Sequence, residues 1–147
     1  MQKKKRIEKI YEEYLSVKEN NFRKWSKDFL ASLFLEKNVF FISLNDPVEG
    51  YLIARKILDE YEVLSLAADI NKRRRGIGTM LLEKLINMAK KEKIQRILLE
   101  VSENNIAAIC MYEKAGFKKI SKRKNYYNGG KDSRDAYVME KNLIKCV

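Results

Sequence analysis

The chain has 147 residues, 46% of them hydrophobic and 35% charged, which is typical of a globular domain and excludes a disordered chain. It contains no histidine and only two cysteines, so Ser-His-Asp catalysis, Cys-His catalysis and most zinc sites are excluded. The net charge of +11 agrees with a lysine-rich solvated surface, with an anionic ligand such as a nucleotide cofactor, or with a position near RNA, and leaves these three interpretations open.

The N-terminal part of the chain is predicted to be helical. Apolar residues at a spacing of three to four predict a helix over Ile7 to Leu15. A second helix is expected to begin near Trp25, with Ser26 as its N-cap and with an apolar stripe that contains Leu30 and Leu33.

A twofold alternation of side chains then predicts an antiparallel meander of three strands. The strands are expected at Val39 to Leu44, Gly50 to Ile57 and Tyr61 to Ala67. The connecting turns are expected at Asn45-Asp46-Pro47 and at Asp59-Glu60.

In the second half of the chain, segments with the period of a helix alternate with segments that have the twofold period of a strand. A long amphipathic helix with Leu81, Leu82, Leu85, Ile86 and Ala89 on one face follows Gly78. The remaining predicted elements are a strand from Ile94 to Val101, a helix from Ile106 to Lys114 with Gly116 as its C-cap, and a hairpin of Phe117 to Ser121 with Tyr137 to Lys141. This order predicts a mixed α/β domain with one sheet.

The basic segment Arg73-Arg74-Arg75-Gly76-Ile77-Gly78 lies where the third strand gives way to the long helix. Glycine permits a tight turn and a close ligand approach, and the first amides of a helix have no internal partner. Together with Lys72 and Thr79, the segment therefore predicts a phosphate-binding site rather than an ordinary turn. It is neither a Walker loop nor a complete dinucleotide fingerprint, because Gly-Lys-Ser/Thr and the third glycine are absent.

Three later residues are candidates for chemistry, and each has a structural alternative. Glu100 lies between two apolar strand residues, and partial burial on the opposite face would raise the pKa of its carboxyl toward that of a general base. Its alternative is a solvated carboxylate. The structural alternative for Asn105 is a helix N-cap, and the structural alternative for Tyr112 is packing in the core with Phe117.

Together these segments resemble the GNAT superfamily of acyl-CoA N-acyltransferases, and within it the RimI-type enzymes, which acetylate the N-terminal alanine of ribosomal protein S18. The resemblance covers the chain from about Trp25 onward. The motifs that carry it are Leu66-Ala67-Ala68, Arg73 to Gly78, Leu99-Glu100-Val101, Asn104-Asn105-x-Ala107-Ala108-Ile109, Met111 to Phe117, Arg123 to Tyr127 and Asp135 to Met139.

The resemblance implies an α/β (α+β) GNAT fold, in which helices flank a mixed, mostly antiparallel central sheet with splayed strands. It implies acetyl-CoA as co-substrate, no metal, and the α-amine of a protein N-terminus as acceptor, most directly that of ribosomal protein S18. The expected domain is a single N-acetyltransferase domain over residues 1–147.

The resemblance also implies roles for individual positions. The pantetheine arm would contact the backbone of Leu66, Ala67 and Ala68, and the pyrophosphate would lie on Arg73, Arg74, Arg75, Gly76, Ile77, Gly78 and Thr79. Asn105 would contact the cofactor, Glu100 would be the general base through water, and Tyr112 would protonate the CoA thiolate. Tyr126 and Tyr127 would line the peptide groove.

Three features depart from the RimI pattern. Ser102 stands where these enzymes usually have arginine, Lys24 stands where a proline is expected before Trp25, and no first strand is recognisable among Met1 to Ile10. The alternatives are therefore an acetyltransferase for other protein N-termini, for lysines or for a small amine. Different classes are a basic nucleic-acid-binding module and a CoA-binding regulator without catalysis.

Cys110 lies among apolar neighbours on the predicted short helix, so we expect it to pack rather than to carry an acyl group. No apolar run approaches the roughly 20 residues that cross a bilayer, and no apolar signal-peptide core follows the basic start. We therefore expect a soluble cytoplasmic protein without membrane contact, with ribosomal RNA as one candidate neighbour for its positive surface.

Overall fold

The computed structural model describes residues 2–17, 24–72, 75–127 and 134–144, of which residues 125–127 and 134 are described by their backbone alone. The helices within these ranges are α1 (Gln2–Ser16), α2 (Lys27–Phe34), α3 (Ile77–Lys91) and α4 (Ile106–Lys114), with a short 3₁₀ helix at Ile70–Lys72. The strands are β1 (Val39–Leu44), β2 (Gly50–Ile57), β3 (Glu60–Ala68), β4 (Arg96–Ser102), β5 (Lys118–Tyr127) and β6 (Arg134–Asn142).

The six strands form one sheet in the order β1-β2-β3-β4-β6-β5. Every neighbouring pair is antiparallel except β3 and β4, which are parallel because α3 connects them as a crossover. The predicted fold class, a mixed and mostly antiparallel sheet flanked by helices, is confirmed.

The larger part of the core lies between the sheet and the helices α3 and α4, on the side called here the α3–α4 face. Helix α3 buries a stripe at a spacing of three to four residues, which includes Leu82, Leu85 and Ala89. This stripe packs in one cluster with the buried strand residues Ile97 and Met139. Burial of so much apolar surface supplies the main driving force for folding.

The opposite side, called here the α1–α2 face, carries a second cluster that is rich in aromatic side chains. Tyr14 of α1 lies 5.0 Å from Tyr51 of β2 between ring centroids, and its hydroxyl accepts a hydrogen bond of 2.7 Å from the Trp25 backbone. Lys24 donates to the Tyr14 carbonyl at 2.9 Å, and its ammonium lies 4.4 Å from the Tyr14 ring centroid. Lys24, at the position where a proline was expected, thus ties the start of α2 to α1.

Ser26 is the N-cap of α2, as predicted, and its hydroxyl accepts from the Phe29 backbone at 3.1 Å. The predicted bounds of β1, β2 and α4 are also confirmed. The N-terminal edge is the helix α1 rather than a strand, and it begins at Gln2, before the predicted start. None of the described helices combines the length and the apolar character that a bilayer crossing requires.

Other boundaries were predicted less well. Glu60 was expected in a turn but begins β3, and the turn lies at Leu58-Asp59. The strand expected from Ile94 begins at Arg96. The final hairpin strands are longer than predicted, because mutual pairing extends them into polar sequence that has no apolar alternation.

Candidate active site

Strands β3 and β4 pair with each other only over their first halves. Their parallel pairing joins Glu60–Glu62 to Arg96–Leu98, whereas β3 continues to Ala68 and β4 continues to Ser102. The C-terminal halves of two neighbouring strands in the described sheet are therefore not paired with each other. This opening supplies the splayed strands that the family resemblance predicted.

An irregularity in β3 accounts for the position of the opening. Ile53 of β2 pairs with Ser65, and the next residue, Ala54, pairs with Val63, so that Leu64 is an extra residue in β3. Such a bulge bends the strand that carries it. The extra residue lies two positions after Glu62, where the pairing with β4 ends.

The paired end of β3 and β4 is held by a charged cluster. Arg96 donates to Glu60 of β3 and, at 3.3 Å, to Glu140 of β6. These two carboxylates raise the pKa of Arg96, with the hydrogen bond to Glu60 as the largest cause. One guanidinium thus joins three adjacent strands at the end opposite to the opening.

The N-terminus of α3 provides backbone donors without a side-chain cap. Gly76 is the N-cap residue in the left-handed region, with φ 72°, and no side chain among the residues that the structure describes caps the helix. The first intrahelical bond runs from the Met80 amide to the Gly76 carbonyl at 2.9 Å, so the three preceding amides have no partner within the helix. A methyl group built on Gly76 would have no atom of the described residues within 4 Å, so among these residues nothing covers this helix end.

Gly78 lets the start of α3 lie close to β3 and to α4. A Cβ atom on Gly78 would lie 2.5 Å from Sδ of Met111 on α4 and 3.7 Å from a methyl group of Leu66 on β3. On the other side, a Cβ atom on Gly50 would lie 2.6 Å from the Ile77 side chain. The uncapped helix end is therefore packed over the C-terminal end of β3, beside α4.

The basic residues of the predicted cradle are only partly described. Arg73 and Arg74 lie outside the described residues. Arg75 is exposed, and its guanidinium lies 3.8 Å from the Glu49 carboxylate. Thr79 is exposed on the first turn of α3.

Glu100 lies on the half of β4 that does not pair with β3. Its neighbours Leu99 and Val101 are buried in the α3–α4 core, so alternation places Glu100 on the α1–α2 face. Its side chain is 28% exposed, and Oε1 accepts a hydrogen bond of 3.0 Å from Nη1 of Arg123 on β5. Glu100 is therefore partly buried, which is the condition that the general-base hypothesis set, and it is also ion-paired, which the sequence did not predict.

Asn105 and Tyr112 both perform the structural roles that were named as alternatives. The Asn105 side chain is the N-cap of α4 and accepts from the Ala108 amide at 3.2 Å. Tyr112 is buried in the core, with its ring 5.8 Å from that of Phe117 between centroids. Contacts of either residue with a cofactor stay predictions.

The other predicted site residues fall in two groups. Leu66, Ala67 and Ala68 form the end of β3 next to the opening, with Ala67 buried and the other two half-buried. The backbones of Tyr126 and Tyr127 end β5, and their side chains lie outside the description.

Two features were missed or misjudged at the sequence level. Arg123 was quoted only as part of a motif, and its contact with Glu100 depends on strand register, which the sequence does not display. Cys110 was expected to be buried, but it is exposed as a free thiol on the outer side of α4. The error arose because α4 has a weak amphipathic pattern, in which apolar residues also lie on its exposed side, such as Ile106.

Comparison with known proteins identifies related sequences. A protein-family model described as "Acetyltransferase (GNAT) family" matches residues 5–117. The [ribosomal protein bS18]-alanine N-acetyltransferase of Escherichia coli K12 is 34% identical over 116 residues, which are 78% of this chain and 78% of that protein. An N-alpha-acetyltransferase of Saccharolobus solfataricus is 35% identical over 118 residues, which are 71% of this chain and 69% of that protein.

Solved structures agree with these sequence relationships. The crystal structure of the ribosomal-protein-S18-alanine N-acetyltransferase from Escherichia coli superposes with a TM-score of 0.78 at 29% identity. The superposition covers 86% of this chain and 83% of that one. A putative streptothricin acetyltransferase from Bacillus anthracis, solved in complex with acetyl coenzyme A, superposes with a TM-score of 0.65 at 23% identity, covering 74% and 65% of the two chains.

Proposed function

This chain belongs to the GNAT acetyltransferase family and is an acetyl-CoA-dependent N-acetyltransferase, and we propose that its acceptor is the α-amine of a protein N-terminus. The acceptor favoured by the relatives is the N-terminal alanine of ribosomal protein S18. The observation that carries the proposal is the opening between β3 and β4, which has an uncapped helix end on one side and Glu100 on the other.

The residues at this opening fit acetyl-CoA. The amides at the start of α3, beside Gly76, suit the pyrophosphate, because they have no intrahelical partner and the helix dipole favours an anion. The half of β3 that does not pair with β4, at Leu66 to Ala68, offers backbone groups to the amides of the pantetheine arm. Bound in this way, acetyl-CoA would present its thioester near the end of β4.

Glu100 and Tyr112 then have separate roles in acyl transfer. The acceptor nitrogen attacks the thioester carbon, so that a C–N bond forms, the C–S bond breaks and CoA leaves as a thiol. Glu100 takes the proton that the amine loses, through a water molecule, and Tyr112 gives a proton to the departing sulfur. The backbone N–H of Ala68 stabilises the oxyanion that forms on the carbonyl.

The choice of an α-amine is consistent with this acid–base equipment. An α-amine has a pKa of about 7.7–8.0, and a lysine amine has a pKa of about 10.4. A carboxylate that acts through water can therefore deprotonate an N-terminal amine more easily than a lysine side chain. The two named groups of relatives, one for S18 alanine and one for α-amines, agree with this choice.

The base is tested with Glu100→Gln and with Glu103→Gln as its matched control. Glu103 undergoes the same change in charge, but it lies past the end of β4, where its carboxylate pairs with Lys122. With acetyl-CoA and a peptide of the S18 N-terminus, we expect Glu100→Gln to lower kcat by roughly a hundredfold or more. Glu103→Gln should leave kcat within about twofold of wild type. Equal turnover of the two variants would contradict the role of Glu100.

The acid is tested with Tyr112→Phe, which keeps the ring against Phe117. We expect kcat to fall by roughly a hundredfold while the KM for acetyl-CoA changes little, because only the proton donor is removed. Thermal unfolding of the variant checks that the core is intact. A properly folded variant with wild-type turnover would exclude Tyr112 as the acid.

The second candidate acceptor class is the set of other protein N-termini, which the Saccharolobus solfataricus relative favours. A panel of peptides that begin with Ala, Ser and Met, beside lysine peptides and polyamines, distinguishes the classes through kcat/KM. Mass spectrometry of N-termini in cells with and without the gene identifies the acceptor directly. The suggested proximity to ribosomal RNA stays a prediction, and salt-dependent binding to ribosomes tests it.

A further inference from the structure

We propose that Arg123 is a positioning residue that holds the Glu100 carboxylate in place for proton removal. The proposal rests on the proposed function, because it takes Glu100 as the general base. Arg123 donates from Nη1 to Oε1 of Glu100 at 3.0 Å, and the two residues are 23 positions apart in the chain. Arg123 would affect the reaction only through the Glu100 side chain.

Strand register explains how an arginine of β5 reaches a carboxylate of β4. Arg123 pairs with Ala136 of β6, and Ala136 pairs with Ser102 of β4, so that three residues form one row across three strands. Glu100 lies two residues before Ser102 and therefore on the same face. The backbones of β5 and β4 are roughly 10 Å apart, since two strand spacings separate them.

The small residues of this row leave a path for the long side chain. Ala136 is fully buried and has only a methyl group, so the arginine stem can pass over β6 toward β4. Ser102 is also small, and its hydroxyl accepts from the Asn104 amide at 3.3 Å. The guanidinium thus arrives at Glu100 from the side, across the sheet, rather than from β4 itself.

The contact constrains a side chain that would otherwise rotate. Arg123 occupies Oε1, and the proton that the acceptor amine loses goes to Oε2 of the same carboxylate through water. Arg123 stays protonated throughout the reaction. Because Arg123 is 60% exposed, its removal should alter the site without disturbing the core.

The test compares Arg123→Gln and Arg123→Lys with Lys118→Gln. Lys118 is a matched control because it is exposed on the same strand and faces Glu140 in the register, five residues before Arg123. We expect Arg123→Gln to lower kcat by roughly fivefold, the upper end for an exposed ion pair, with the KM for acetyl-CoA unchanged. Arg123→Lys should recover part of the loss, and Lys118→Gln should leave kcat unchanged.

A double-variant cycle with Glu100→Gln decides whether the arginine acts through the carboxylate. If it does, adding Arg123→Gln to Glu100→Gln changes the remaining rate by less than about 1.5-fold, whereas the same change in wild type costs about fivefold. The same loss in both backgrounds, or an equal loss in Lys118→Gln, would overturn the role of Arg123 and leave the general base intact. Wild-type turnover in Glu100→Gln itself would overturn the proposed base, and Arg123 with it.

Discussion

Replacement of Gly76 by alanine tests the predicted pyrophosphate site at the start of α3. Its effects on stability and on CoA binding can be estimated separately from the structure. Gly76 has φ 72°, and a left-handed conformation costs an L-residue about 1–2 kcal/mol. A methyl group at this position would meet no atom of the described part of the chain within 4 Å, so we add no steric penalty. We therefore expect Gly76→Ala to lower the Tm by roughly 3–8 °C.

The effect on binding should be larger than strain alone explains. The new methyl group would project into the open space at the start of α3, where we place the pyrophosphate. Loss of one hydrogen bond to a charged group costs about 1.5–3 kcal/mol, which corresponds to a weakening of roughly tenfold or more in Kd. Isothermal titration calorimetry with CoA measures this change, and circular dichroism follows thermal unfolding.

Gly116→Ala provides the control for backbone strain. Gly116 has φ 96° after the end of α4, and among the described residues a Cβ atom there would meet only the far end of the Lys141 side chain, with Nζ at 2.5 Å. This variant should lose a similar amount of stability and bind CoA within about twofold of wild type, because it lies outside the cradle. If Gly76→Ala also binds CoA as tightly as wild type while its Tm falls, the pyrophosphate does not lie at this helix end.

Three further predictions concern stability and exposure. Burial, followed by the hydrogen bond to Glu92, raises the pKa of Tyr61, so this tyrosine stabilises the fold fully below its ordinary pKa of about 10 and loses that contribution at higher pH. Urea unfolding at pH 8 and pH 11 should show a larger alkaline loss in wild type than in Tyr61→Phe, and equal losses would refute the assignment. Leu85→Ala removes a fully buried side chain of α3 and should cost about 2–5 kcal/mol in urea unfolding, whereas a cost below about 1 kcal/mol would be inconsistent with its place in the core. Cys110 should react with a thiol reagent in the folded protein, and Cys110→Ser should reduce the labelling by one equivalent; reaction only after unfolding would show that the thiol is buried.

Much of the secondary structure could be predicted from the sequence, because it depends on neighbours close in the chain. The N-cap at Ser26 and the bounds of α4 follow from local hydrogen bonding and from side-chain period. The glycine-containing start of α3 is equally local, since it requires only a left-handed residue followed by an amphipathic helix. The motifs between Leu66 and Met139 also indicated the family by resemblance, and the comparisons then showed it.

The candidate site depends on contacts that the sequence does not display. The pairing of β3 with β4 ends at Glu62 because of a bulge opposite β2, and a bulge is a property of two strands rather than of one. Arg123 meets Glu100 only because β6 lies between their strands in a particular register. A shift of one residue would turn either side chain to the other face.

The sequence by itself therefore determined most of the helices and strands and the glycine turn before α3, because each is set by residues within a few positions of one another, and its motifs indicated the family. Only the tertiary structure decided where the sheet opens, which cation holds Glu100 and which side of α4 exposes Cys110. These outcomes depend on strand order, register and packing across the sheet. Such long-range contacts form only when the whole chain folds, so local patterns carry no record of them.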